Sequence, residues 1–87
     1  MYQQNQVNEK IITSLTMFSE GNVYQFLFTC YGRYIVITAQ NKRAVWDPDL
    51  LDFAFYGLEI GQKALNFLVC WLMANASKIR EEAKKIA

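Results

Sequence analysis

Between Val7 and Phe18 the apolar positions Val7, Ile11, Leu15 and Phe18 recur at steps of four, four and three. That is the period of one helical face, with Ile12 beside it and Glu9, Lys10, Thr13 and Ser14 off it. The spacing predicts a short amphipathic N-terminal helix, stopped at "SEGN" with Gly21 as its cap.

The period then changes. "NVYQFLFTCYGRYIVITAQNKRAVW" is aromatic and β-branched and is split at Tyr31-Gly32-Arg33, which reads as a hairpin with Gly32 supplying the positive φ of a tight turn. A two-residue loop, Tyr31-Gly32 or Gly32-Arg33, puts Tyr24, Phe26, Phe28 and Cys30 on one face with Ile35, Ile37 and Ala39. Gln25, Thr29, Tyr31, Tyr34, Thr38 and Gln40 fall on the other. A three-residue loop mixes these sets, because one residue of slip turns every side chain over, so the two-residue loop is the better reading. A turn at Asn41-Lys42 adds a third short strand, Arg43 to Trp46.

At "WDPDLLD" Asp47 has the position of a helix N-cap, with Pro48 at the first helical residue and Asp49 in the first turn. Helix is expected from there to the end, as one long bent helix or as a short one, 48 to 56, followed by a long one, 58 to 85. Gly57 and Gly61 mark the bend or break. On a wheel, Leu58, Gly61, Leu65, Leu68, Leu72, Ala76, Ile79, Ala83 and Ile86 share one face. Ile60, Ala64, Phe67, Trp71 and Ala74 form a second stripe beside it. The polar side carries Glu59, Gln62, Lys63, Asn66, Ser77, Arg80, Glu81 and Lys84, interrupted by Cys70 and Met73. The apolar arc spans more than half the circumference, whereas covering one core needs a stripe of about 100°.

These elements make residues 1–87 one small α+β domain: a short N-terminal helix, an antiparallel β-hairpin with a third short strand, and a long C-terminal helix packed on the sheet. The composition agrees. With 87 residues the chain is one domain's length, and at 53% hydrophobic and 15% aromatic it is rich enough in apolar surface to fold. The surplus arc predicts that the long helix touches two things, and the second is most economically another copy of the chain or a different protein, with another copy preferred. Ile60, Ala64, Phe67, Leu68, Trp71 and Ala74 are the candidate protein interface, with Phe67 and Trp71 as its anchors, since aromatic residues lead among interface hot spots. In the alternative, the first helix and the hairpin wrap both faces within a monomer.

Charge and chemistry narrow the function. Nine basic and eight acidic residues leave a net charge of +1, so no overall field draws the chain to nucleic acid or anionic lipid. There is no histidine, which removes the commonest general base and metal ligand, and no phosphate-binding glycine motif is present. An enzyme is not expected, nor a cofactor. Asp47, Asp49 and Asp52 could hold a hard cation, but capping and dipole compensation explain them better. Cys30 and Cys70 are too few and too far apart for a disulfide framework or a zinc site and read as small buried hydrophobes. The opening "MYQQNQVNEK" lacks the pattern of a secretory signal, and the apolar run "ALNFLVCWLMA" would be about 16 Å long as a helix, half a bilayer core. A cytoplasmic protein that does not enter membranes is expected.

The sequence therefore reads as a non-enzymatic protein–protein interaction module. We expect a small self-associating regulatory or adaptor protein, a homodimer that binds or occludes a partner protein. Domains of this size and style occur among regulatory adaptors and among phage- or plasmid-type inhibitors, an analogy of size and composition alone. The rival reading is a single-stranded nucleic-acid-binding protein that uses the exposed hairpin face, with Tyr31, Arg33, Tyr34, Lys42 and Arg43 as contacts. A membrane-surface helix ranks third, because its polar stripe carries both signs of charge.

Overall fold

The computed structural model describes residues 10–86. Five strands follow one another as an antiparallel meander: β1 (Thr13–Ser19), β2 (Asn22–Tyr31), β3 (Tyr34–Ala39), β4 (Lys42–Asp47) and β5 (Asp52–Tyr56). One helix, α1 (Gln62–Ile86), closes the chain. The strands lie in the sheet in chain order, so among the described residues β1 and β5 are its edges. The class is α+β, with one sheet and a helix on one of its faces.

The β2–β3 pairing is the one that the sorting of apolar positions requires. Tyr31 faces Tyr34 across a Gly32-Arg33 loop, with Cys30 opposite Ile35 and Phe28 opposite Ile37, and Gly32 has φ +61°. The third strand is present and longer than Arg43 to Trp46. Its turn is Gln40-Asn41, both at positive φ, one residue earlier than Asn41-Lys42.

Two expected helices are strands. Residues 7–9 of the expected N-terminal helix lie outside the described residues, but Thr13 to Ser19 pair with β2 from Thr13 opposite Phe28 to Ser19 opposite Asn22. Thr13, Leu15 and Met17 alternate with Ser14 and Thr16, and this period of two lets Leu15 and Met17 join the inner face beside Phe26 and Tyr24. Gly21 does not cap a helix; it forms, with Glu20, a two-residue turn at positive φ.

The second is the expected helix at 48 to 56, where the chain turns and returns as β5. Its aromatic residues favour a strand, and Phe53 closes edge-on over Trp46 with ring centroids 5.0 Å apart. Asp47 does cap, but it caps a turn: its Oδ1 accepts the Asp49 N–H at 3.0 Å, and Leu51 at φ +55° bends the backbone away from a helix. The long helix begins at Gln62, not 58, and Gly61 contributes the carbonyl that accepts the Leu65 N–H at 3.0 Å.

The core lies between α1 and the inner face of the sheet. Ala64, Leu68, Leu72, Ala76 and Ile79 are the buried residues of the helix. At steps of four, four, four and three they form a single stripe, and α1 lays it across β1, β2 and β3 onto Met17, Tyr24, Phe26, Phe28, Ile35 and Ile37. Beyond the helix, Trp46 is buried beneath Phe53, and Tyr56 packs edge-on against Phe53.

Candidate functional site: the seam between the edge strand and the helix

The helix sits over the β1 side of the sheet, so its outer flank overhangs the β1 edge. Two shallow grooves run along this seam. One, of about 260 Å³, is lined by Ile12, Thr13, Trp71, Asn75, Lys78, Ile79 and Glu82. The other, of about 390 Å³, is lined by Leu15, Thr16, Met17, Phe18, Ser19, Lys63 and Phe67. Phe67 and Trp71, one helical turn apart, thus stand over opposite halves of β1.

The six expected interface residues divide. Ala64 and Leu68 are fully buried under the helix and belong to the core. Trp71 is part-buried, stacked on Phe28 with centroids 4.7 Å apart, and its backbone carbonyl accepts the Asn75 side-chain amide at 2.9 Å. Ile60 is part-buried in the segment before the helix, and Ala74 is exposed. Phe67 is 51% exposed and is the aromatic residue of the set with most surface to offer. The sheet thus uses most of the apolar arc, and of what remains Phe67 and Trp71 line the seam.

Sequence reasoning missed the other wall of the seam. Residues 13–19 include no charge and no proline, and Phe18, on the face away from the helix, is 77% exposed. The signal that could have found this strand is the alternation of Thr13, Leu15 and Met17 followed by the Glu20-Gly21 turn.

The expected nucleic-acid contacts are not assembled into one basic surface. Tyr31 and Tyr34 are cross-strand neighbours on the outer, helix-free face, with Tyr31 exposed. The Arg33 guanidinium lies over the Tyr34 ring, 4.9 Å from its centroid, and is engaged by two carboxylates: it donates to Asp47 Oδ2 at 2.9 Å and lies 3.8 Å from Asp49. Lys42 falls on the helix side of β4, in register with Ala39, with its ammonium 3.8 Å from Glu59. Arg43 is on the outer face opposite Thr38. The five residues are therefore divided between two faces, and Arg33 and Lys42 each have acidic neighbours.

Among the described residues Asp47 is the one buried acid, 2% exposed. Burial pushes its carboxyl up, but the backbone N–H of Asp49, the Arg33 hydrogen bond and charge, and the Leu50 N–H outweigh this and hold it below its ordinary value. The same hydrogen bond, with the Asp47 charge, raises Arg33. This pair ties the β2–β3 turn to the end of β4. Among the described residues no three His, Cys, Asp or Glu side chains are grouped to hold a metal ion, and no helix is long and apolar enough to cross a membrane.

The fold and the seam define the chain as a five-stranded antiparallel meander with a C-terminal helix and one uncharged edge. Comparison with protein-family models, curated proteins and solved structures returned no match.

Proposed function

We propose that the protein is a non-enzymatic interaction module that self-associates through the seam between β1 and α1 and acts by binding or occluding a partner protein. The observation that carries this reading is Phe67, half-exposed on a helix flank that overhangs an edge strand without charge. Aromatic side chains in such positions are the usual anchors of protein interfaces, and an uncharged edge offers backbone hydrogen bonds to an incoming chain. Two thiols that form no disulfide fit a reducing setting, the cytoplasm.

Sedimentation across a range of concentrations, with Phe67→Ala alongside the parent, tests the reading. The parent associates and Phe67→Ala associates at least about tenfold more weakly, as loss of an interface anchor requires. A parent that stays monomeric at every concentration, or association indifferent to Phe67, overturns it.

A further inference from the structure

We infer that the second copy is held by antiparallel pairing of β1 with β1 of its partner about a two-fold axis at Thr16, which joins the two sheets into one. The inference rests on the self-association proposed above and gives it a register.

Three features of the strand lead there. The first is the direction of its backbone groups. A two-residue turn of the Glu20-Gly21 kind closes on a hydrogen-bonded pair, here Ser19 and Asn22, and such pairs alternate with non-bonded ones along an antiparallel ladder. Thr13, Leu15, Met17 and Ser19 therefore bond to β2. Ser14, Thr16 and Phe18 turn both N–H and C=O to the open edge, where a strand centred on Thr16 can exchange two bonds at each of three pairs, about six in all.

The second is symmetry in the sequence. Read outward from Thr16, "TSLTMFS" places Leu15 against Met17 and Thr13 against Ser19. On the face toward the helix a two-fold pairing thus sets apolar beside apolar and hydroxyl beside hydroxyl, while on the outer face it sets Thr16 beside Thr16 and the exposed Phe18 beside Ser14, the same patch being presented from both copies. Thr16 itself lines the groove beside Phe67, so an axis there places the Phe67 grooves of the two copies next to one another.

The third is the contrast with the other edge. Proteins guard exposed edges with charge, bulges or shortness. β5 has five residues, begins at Asp52 and shifts register opposite Val45 and Trp46, whereas among the described residues β1 has seven, with no charge and no register shift from Thr13 to Ser19.

Amide hydrogen exchange on the full chain, read residue by residue below and above the concentration of association, tests the pairing. We expect the Ser14, Thr16 and Phe18 amides to slow at least about tenfold on association. Thr16→Pro should fold, because proline is tolerated where an edge-strand N–H faces outward, yet should remain monomeric. If Thr16→Pro does not fold, the exchange measurement decides alone. A dimer in which these three amides stay unprotected, or a folded Thr16→Pro that dimerises like the parent, overturns the pairing and leaves self-association standing. A parent that is monomeric throughout overturns both.

Discussion

Phe67 and Leu68 are consecutive on α1 and belong to different sides of the molecule, so truncating each in turn measures how the helix divides between core and surface. Leu68 is fully buried in the cluster with Phe26, Phe28 and Ile37. Alanine at this position removes transfer energy and leaves a cavity between the helix and a hydrogen-bonded sheet that cannot collapse freely. Such substitutions cost about 2–5 kcal/mol, and a site walled in this way belongs near the middle, at about 3 kcal/mol. With a urea slope of about 1 kcal/mol/M for so small a domain, the unfolding midpoint falls by about 3 M, a large part of the stability such a domain has. Phe67→Ala removes a ring already 51% exposed. Half of the transfer energy of a phenylalanine is about 1 kcal/mol, so its midpoint falls by about 1 M. The assay is urea unfolding followed by tryptophan fluorescence at high dilution, where only the monomer's packing is read. Leu68→Ala costing less than about 1 kcal/mol, or Phe67→Ala in the dilute monomer costing as much as Leu68→Ala, refutes the packing described above.

Two further outcomes are expected. Asp47→Asn keeps the shape and the acceptor for the Asp49 N–H but removes the charge beside Arg33. Because the folded carboxyl lies below its ordinary value of 3.8, its contribution is present above that value and is lost as pH falls through the lower folded one. The thermal midpoint of the variant therefore lies below the parent's at neutral pH and the two converge in acid; a gap independent of pH refutes the coupling. Gly57→Ala places a Cβ 2.9 Å from the Arg43 carbonyl oxygen, which is fixed because it also accepts the Gly57 N–H at 2.8 Å. Overpacking of this kind costs about 1–3 kcal/mol, read by urea unfolding, and a loss below about 0.5 kcal/mol would show that the chain after β5 yields easily.

The parts of the fold legible in the sequence are those where burial acts on one side of a regular element. In β2 and β3 the aromatic residues Tyr24, Phe26 and Phe28, alternating with a set that includes Gln25 and Thr29 and continued in Ile35 and Ile37, set face and register together, because these residues lie against the helix. In α1 the stripe of Leu68, Leu72, Ala76 and Ile79 is correct in phase. The neighbouring stripe was harder to divide, since periodicity says which residues share a side but not how wide the opposing sheet is. Ala64 falls beneath the sheet's inner face and Phe67 beyond its edge, a separation that depends on where the helix sits over β1. The surroundings of the basic candidates were hidden for a similar reason: Arg33 and Lys42 are nine residues apart, and only the folded chain shows Asp47 and Glu59 beside them.

Both segments mistaken for helices, 13–19 and 52–56, are the edges of the sheet, and the coincidence has a physical cause. An edge strand pairs on one side and is covered less completely, so selection for strict alternation along it is weak. In β5 the register shift puts Phe53, Phe55 and Tyr56 out of alternation, and in β1 Phe18 is apolar at an outward position. The two edges then diverge. The irregularity of β5 is itself a guard against further pairing, since a bulge and an aspartate spoil the ladder for an incoming strand. Both edges expose apolar side chains, Phe55 and Tyr56 on β5 and Phe18 on β1, but β1 keeps its ladder regular from Thr13 to Ser19. A monomer gains nothing from that combination, whereas a chain that pairs with its own copy gains a second hydrogen-bonded neighbour for Ser14, Thr16 and Phe18 and a cover for Phe67. On the proposed pairing, Leu15 and Phe18, read from the sequence as part of a helical face, belong to the strand through which two copies meet.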